Sequence, residues 1–295
     1  MIPDGFTLIA GSIGDQGGSV AQLLKQNGRH IRTLTANRWS PAALRLLKYG
    51  VEVLADDLET PEVAVRDVAG AAYVFAAFTP FGEGGLQAEL RHVRNLGWAA
   101  VRAGVEHFVT SSIGDPEQDR DAGPGDLWGV ERLLRQFELP LTMLRPAFFL
   151  ENIDEFALRR DKDGDLVLRL PLSERARVHW IALSDVGALV RTAFDRPAAF
   201  GPGPVALGAD ELSFAEVAGL IGETLGEDVR YEQIPLGKVK DRHARGMYRW
   251  FQNCARYEPD VEKLRRLHPD LLTVRRWLQA GRLDLRKVEQ GTAAA

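Results

Sequence analysis

The sequence predicts an α/β fold, a Rossmann-type doubly wound parallel sheet with a smaller α/β C-terminal substrate domain. Three observations predict it. Six short apolar runs, "FTLIA", "IRTLT", "VEVLA", "AAYVFAAF", "HFVTS" and "LTMLR", recur through the first half of the chain, with amphipathic stretches between them. A glycine-spaced turn, "IAGSIGDQGG", overlaps the end of the first run and continues beyond it. After Pro146 this rhythm breaks into shorter, mixed pieces.

Each element follows from a local reason. Short runs that are apolar throughout read as strands buried on both faces. "GSVAQLLKQNG" and "LQAELRHVRNLGWAAVRAG" place apolar residues at helical spacing, with Leu90, Val93, Leu96 and Val101 on the second and Gly104 as its stop. Strand and helix in alternation predict a mostly parallel sheet covered on both sides. Beyond Pro146, "DLVLRL", "VHWIAL" and "VRYEQI" read as strands, and "SDVGALVRTAF" and "SFAEVAGLIGETLG" as helices opening at Ser184 and Ser213. Glu216, three residues after Ser213, completes a capping box. Residues 236–280 read as helical. The expected organisation is a nucleotide-binding domain over 1–150, a smaller substrate-binding part over 151–285, and a flexible tail over 286–295. The cleft between the two parts is the expected ligand site.

Composition narrows the function classes. The 295 residues carry 37 Lys and Arg against 41 Asp and Glu, a net charge of −4, so no basic surface recruits nucleic acid. The basic stretch "KVKDRHARGMYR" reads as a solvated helix face. The single cysteine, Cys254, fits a reducing compartment and reads as a small core residue. No run approaches the ~20 apolar residues of a membrane span, and no leader is legible. A soluble, cytoplasmic protein is expected, without membrane or nucleic-acid partners and with its oligomeric state open.

The glycine turn carries the chemistry. Gly11 permits a tight turn, Gly14 lets backbone N–H groups approach a phosphate, and Gly17 lets the following helix pack closely on the sheet. Asp15 opposes an anion unless its side chain points away. An acid to hold ribose hydroxyls is expected ~20 residues later. "TLTANRWS" has none there, and Arg38 stands close by. Arg38 reads either as a partner of a 2′-phosphate or as an exposed loop arginine. NADP(H) is therefore favoured over NAD(H).

The sequence resembles the NmrA-like family of atypical short-chain dehydrogenases/reductases. The segments "IAGSIGDQGG", "GVEVLADDL", "AGVEHFVTSS", "LPLTMLRPAFFLENI", "VHWIALSDVGAL", "ALGADELSFAEVAGLIGETLG" and "LRRLHPDLLTVRRWL" carry the resemblance, and "RPAFFLEN" and "WIALSDVGAL" are the most specific. It implies pyrophosphate contacts at Gly11, Ser12, Ile13, Gly14, Gln16 and Gly17. It places Asp57 and Leu58 beside adenine, Ala77, Phe78 and Thr79 along the ribose and nicotinamide, and Pro146 and Phe148 over the nicotinamide. Where many members have arginine directly after the second strand, this chain has Ala36.

The Tyr-x-x-x-Lys pair of ordinary short-chain dehydrogenases, which donates a proton to a carbonyl, is missing. None of the five tyrosines has a lysine four residues later, and no lysine lies between Lys48 and Lys162. Leu127 stands where related proteins keep the lysine. The remaining candidates are Ser111 and Ser112 at a strand end, Asp126 and Glu131 at a helix start, and His179. Each also has a structural reading: backbone satisfaction for the serines, the helix dipole for the acids, and a satisfied half-buried ring for His179. Asn152, Phe81, Trp128, Phe149 and Trp180 are candidates for the substrate pocket, although aromatics at such positions are often core.

Three readings follow. The first is an NADP(H)-dependent reductase of a small aromatic or quinone-like molecule that works without the dyad. The second is a non-catalytic NAD(P) sensor with a regulatory protein partner. The third is a non-redox enzyme of isomerase or cyclase type whose cofactor site has decayed.

Overall fold

The computed structural model describes residues 5–11, 14–56, 58–78, 85–112, 129–253 and 258–290. Its chain order begins β1 (Phe6–Ala10), α1 (Asp15–Gln26), β2 (Ile31–Thr35), α2 (Pro41–Lys48), β3 (Glu52–Ala55), α3 (Pro61–Val68) and β4 (Ala71–Ala77). It continues with α4 (Gly85–Ala103), β5 (His107–Ser111), α5 (Gly129–Leu134) and β6 (Leu141–Pro146). Then come β7 (Phe148–Phe149), a π-helical turn (Ile153–Ala157), β8 (Leu158–Arg160), β9 (Leu166–Leu170), β10 (Arg177–Ile181) and α6 (Leu183–Asp195). The chain ends with β11 (Val205–Leu207), β12 (Asp210–Ser213), α7 (Phe214–Leu225), β13 (Val229–Gln233), α8 (Arg242–Asn253), α9 (Val261–Leu267), α10 (Val274–Gln279) and α11 (Leu285–Gln290).

The chain forms two compact units. The described part of the first holds residues up to 112, 129–145 and 183–205. Its sheet has the order β11-β6-β5-β4-β1-β2-β3. The pairings of β1 with β2 and β4, β2 with β3, β4 with β5, and β5 with β6 are all parallel. The order reverses between β1 and β4. Right-handed crossovers therefore send α1 and α2 to one face and α3, α4 and α5 to the other. The six apolar runs are the six strands β1 to β6. Behind them, Leu8, Val74, Phe108, Val93, Leu96 and Leu134 form a core from which water is excluded.

The second unit includes residues 146–182 and those from 206 onward. It is built on two three-stranded sheets, β12-β10-β7 and β13-β9-β8. Its core centres on Phe148, Trp180, Phe214 and Trp277. Ser213 caps α7, accepting from the Glu216 N–H at 3.2 Å while Glu216 accepts from the Ser213 N–H at 2.7 Å, the expected reciprocal box.

One expectation is corrected. The helix assigned a start at Ser184 begins at Leu183, so Ser184 lies within its first turn. That helix, α6, groups with the first unit because it packs along α1, with Gly187 against Leu23. Residues 236–280 hold three separate helices, α8, α9 and α10. Residues 285–290 form α11, whose Val288 is buried.

Candidate functional site

Parallel strands end together, so the carboxyl edge of the first sheet collects the loops that follow β1, β2, β3, β4 and β5. At the end of β1 the backbone turns sharply through Gly11 at φ +80. A Cβ at Gly11 would lie 2.2 Å from the Ala77 carbonyl oxygen at the end of β4, so the two strand ends approach closely only because the residue is glycine. The Gly14 N–H returns to the Gly11 carbonyl at 3.3 Å. Gly14 then caps α1 in extended conformation and has no side chain to offer the first turn. The N-terminus of a 12-residue helix thus points toward the space beyond Gly14, where an anion is favoured. Gly14 is exposed, and a Cβ there would meet only the Gly11 carbonyl oxygen at 3.6 Å. Gly17 is buried inside α1. Asp15 is exposed in the first turn, where the helix dipole favours a carboxylate. These features fit a dinucleotide pyrophosphate.

Gln16 reaches back across the sheet edge, and its side-chain amide donates to Ser111 Oγ at 2.6 Å. Ala77 and Phe78 are half-buried beside this turn. Leu58, buried in the loop after β3, has φ +63, a strained conformation for a branched side chain. Asn95 of α4 holds it there, donating to the Leu58 carbonyl at 2.8 Å and the Glu59 carbonyl at 3.1 Å. Arg38 and its neighbour Trp39 are exposed in the loop after β2.

The end of β5 is different in character. Ser112 is buried, and its hydroxyl donates to a carboxylate oxygen of Glu131. Glu131, only 2% exposed at the start of α5, accepts a fork from Arg145 of β6, Nε and Nη2 each at 2.8 Å. Arg135 stands 3.6 Å from the same carboxylate. A bidentate guanidinium with a hydroxyl donor satisfies most of the carboxylate's lone pairs, the condition under which a buried charge is tolerated. Glu131 is thus more than a dipole partner. The signal that could have found it is Arg145 itself, because an arginine inside an apolar strand run calls for a buried acid.

In the second unit, His179 sits on the half-buried strand β10 opposite Glu211, and its Cβ lies under Gly208. Phe148 and Trp180 are core side chains whose rings meet edge-on at 5.0 Å, and the Trp180 indole donates to the Leu212 carbonyl at 3.2 Å. Pro146 is buried, while Phe149 and Asn152 are half-buried. Asn152 precedes the π-helical turn without bonding its amides. Asp210 of β12 is pushed up to about 6 by burial, although it accepts from the Val274 N–H at the head of α10. Of the remaining candidates, Ser12, Ile13, Asp57, Thr79, Phe81, Asp126 and Trp128 lie outside the described residues. Among the described residues, no cluster of ligating side chains could hold a metal ion, and no helix is long and apolar enough to cross a membrane.

Comparison with known proteins adds context. A family model described as the NmrA-like family matches residues 4–278. An NAD(P)H azoreductase of Xenophilus azovorans is 28% identical over 234 residues, covering 79% of this chain and 78% of that protein. The fold is that of NmrA, a negative transcriptional regulator solved with NADP, with TM-score 0.79, 19% identity and 99% of each chain covered. The triphenylmethane reductase of a Citrobacter species, solved with NADP(H), aligns with TM-score 0.73 and 18% identity, over 93% of this chain and 99% of that one.

Proposed function

The chain belongs to the NmrA-like family, and on that premise we propose that it is an NADP(H)-dependent reductase of a small aromatic or quinone-like acceptor. The observation that carries this reading is the pair of glycines that flank the turn, Gly11 with its left-handed backbone at the end of β1 and Gly14 as the cap of α1. When bound, the cofactor supplies a hydride and is itself oxidised by two electrons.

The protein's own part is to bind, to orient and to withhold protons. The α1 amides and Gly14 hold the pyrophosphate, and Gly11 sets the approach of β1 to β4. Gln16 braces that turn against Ser111. Ser112 cannot serve as a ready acid, because its proton faces a carboxylate. An acceptor that takes its proton from water, or needs none, suits such a site. Quinones and cationic arylmethyl dyes meet that condition, since a hydride gives a phenolate that water protonates, or a neutral product directly. An azoreductase relative and a fold shared with a dye reductase support this substrate class.

Calorimetric titration with NADPH, followed by absorbance of the reduced nicotinamide with quinone, azo and triarylmethyl acceptors, tests the reading. Binding and turnover of at least one acceptor are expected. Absence of nucleotide binding sinks it. Binding without turnover favours a second reading, a nucleotide-sensing regulator. The missing Tyr/Lys pair and the fold shared with a transcriptional regulator motivate that alternative.

A further inference from the structure

The stretch from Gln16 to Val51 holds six Lys and Arg and no Asp or Glu, although the chain as a whole stands at −4. Two of the six reach outside it for acids, Arg29 to Asp195 at 2.6 Å and Arg32 to Glu52 at 3.1 Å. Arg38 lies over the Trp39 ring. Among the described residues, Lys25, Arg45 and Lys48 pair with no carboxylate.

Helix α2 gathers these charges on one surface. Ala43 and Leu46 are buried on its inner side, while Leu44, Arg45 and Lys48 are exposed at a spacing that puts them on one outer face. Lys25, in the last turn of α1, joins them, since a Cβ at Gly50 would lie 3.3 Å from its Cε. Trp39 precedes the helix and Tyr49 follows it. Of the five large apolar side chains exposed among the described residues, three (Trp39, Leu44 and Tyr49) therefore stand among these cations. Trp39 is 72% exposed, yet its backbone is tied down. Its N–H donates to Asn37 Oδ1 at 3.0 Å, and Ser40 beside it caps α2 by accepting from the Ala43 N–H at 3.2 Å. An anchor held in this way loses little freedom when a partner covers it.

Aromatic side chains mixed with arginine are the composition of protein interfaces. A second copy of this chain is a poor occupant, because a self-matching patch would set Arg45 and Lys48 against like charges. A bilayer or a nucleic acid would extend past the patch, and the acidic excess carried by the rest of the chain repels an extended polyanion. A short acidic segment touches the cations alone. We propose that the outer face of α2, with Trp39 and Lys25, docks an acidic segment of another protein that carries apolar side chains among its acids. The surface uses neither the Gly11 turn nor the Ser112 cluster, so the proposal stands whether or not a nucleotide binds.

The test titrates the whole protein, by fluorescence anisotropy, against a short labelled peptide in which glutamate and leucine alternate. Polyglutamate of the same length, phosphatidylserine vesicles and a DNA duplex are titrated beside it. The glutamate–leucine peptide is expected to bind about tenfold or more tighter than polyglutamate, with an affinity that falls as salt is added. Arg45→Glu combined with Lys48→Glu should weaken binding by about tenfold or more, and Trp39→Ala by about tenfold. Arg45→Gln combined with Lys48→Gln should fall between the native protein and the charge reversal. All of these side chains are exposed, so thermal unfolding should be near native in each variant. Absence of peptide binding by the native protein, or an unchanged affinity in the charge reversal, overturns the proposal. Tighter binding of vesicles or DNA than of the peptide overturns it as well, in favour of a lipid or nucleic-acid surface. A dimer seen by sedimentation in the native protein and lost in the charge reversal overturns it in favour of a second copy.

Discussion

Two loops at the same sheet edge, the turn after β1 and the end of β5, are organised in opposite ways. At Gly11 and Gly14 the polar groups belong to the backbone, and the residue that caps α1 has no side chain. At Ser112 the polar groups belong to side chains and point inward, where a hydroxyl, a carboxylate and a guanidinium satisfy one another. The first arrangement suits a ligand. The second turns a hydroxyl and a guanidinium fork onto one carboxylate and ties β5, α5 and β6 together. One strand-end loop can thus keep backbone polar groups at its turn while the polar side chains of another close on one another in the core.

The largest effect is expected where that inward cluster is broken. Glu131→Ala removes the carboxylate of a buried ion pair and the acceptor of the Ser112 hydroxyl, so stability should fall by about 4 kcal/mol. Urea unfolding followed by circular dichroism measures the loss, and a change below about 1 kcal/mol would mean that the cluster is held loosely. Gly11→Ala comes next. It combines a left-handed backbone with a Cβ against the Ala77 carbonyl oxygen, and about 3 kcal/mol is expected from strain and displacement together. The same unfolding assay reads it, and near-native stability would show that β1 and β4 can part at no cost.

Asp210 extends the comparison to a carboxylate buried against helix amides instead of a cation. Its folded pKa of about 6 lies above its ordinary 3.8, so the folded state prefers the protonated form. The corresponding stability is fully present below pH 3.8 and is lost as pH rises through 6. Between those limits the native protein should lose about 2 kcal/mol relative to Asp210→Asn. Parallel pH profiles in the two proteins would refute this. The smallest effect on the fold belongs to Gly14→Ala, whose backbone is ordinary and whose Cβ meets only one atom at 3.6 Å. A few tenths of a kcal/mol are expected at this cap, together with about tenfold weaker NADPH binding because the methyl fills the space for phosphate. Calorimetry and urea unfolding on one preparation separate the two; an unchanged affinity would move the pyrophosphate elsewhere.

Legibility in the sequence follows the range of the interactions. β1 to β6 were readable because each strand declares itself by its own apolar run, and the α7 capping box because its partners are three residues apart. Gly11 was readable through its left-handed turn, which is local, while its close approach to Ala77 of β4 was not. Glu131 was read through its own helix alone, while its partners, Ser112 and Arg145, come from two separate strands. Leu58 gave no signal at all, because its backbone angle is set by Asn95 on a distant helix. Trp180 looked like a pocket aromatic until Phe148 and Phe214 enclosed it. Residues 236–280 read as helical, but composition does not show where α8, α9 and α10 begin and end.

The membership of α6 in the first unit has a consequence for modularity. The chain leaves that unit at 145, returns at 183 and leaves again at 205, so the nucleotide-binding half is not a segment that a single cut can release. A fragment ending at residue 150 would lose Asp195, which holds the buried Arg29 at 2.6 Å, and Phe194, which packs on Tyr73. The second unit is divided in the same way, with residues 146–182 before that return and those from 206 onward after it, so neither unit is one continuous stretch of chain.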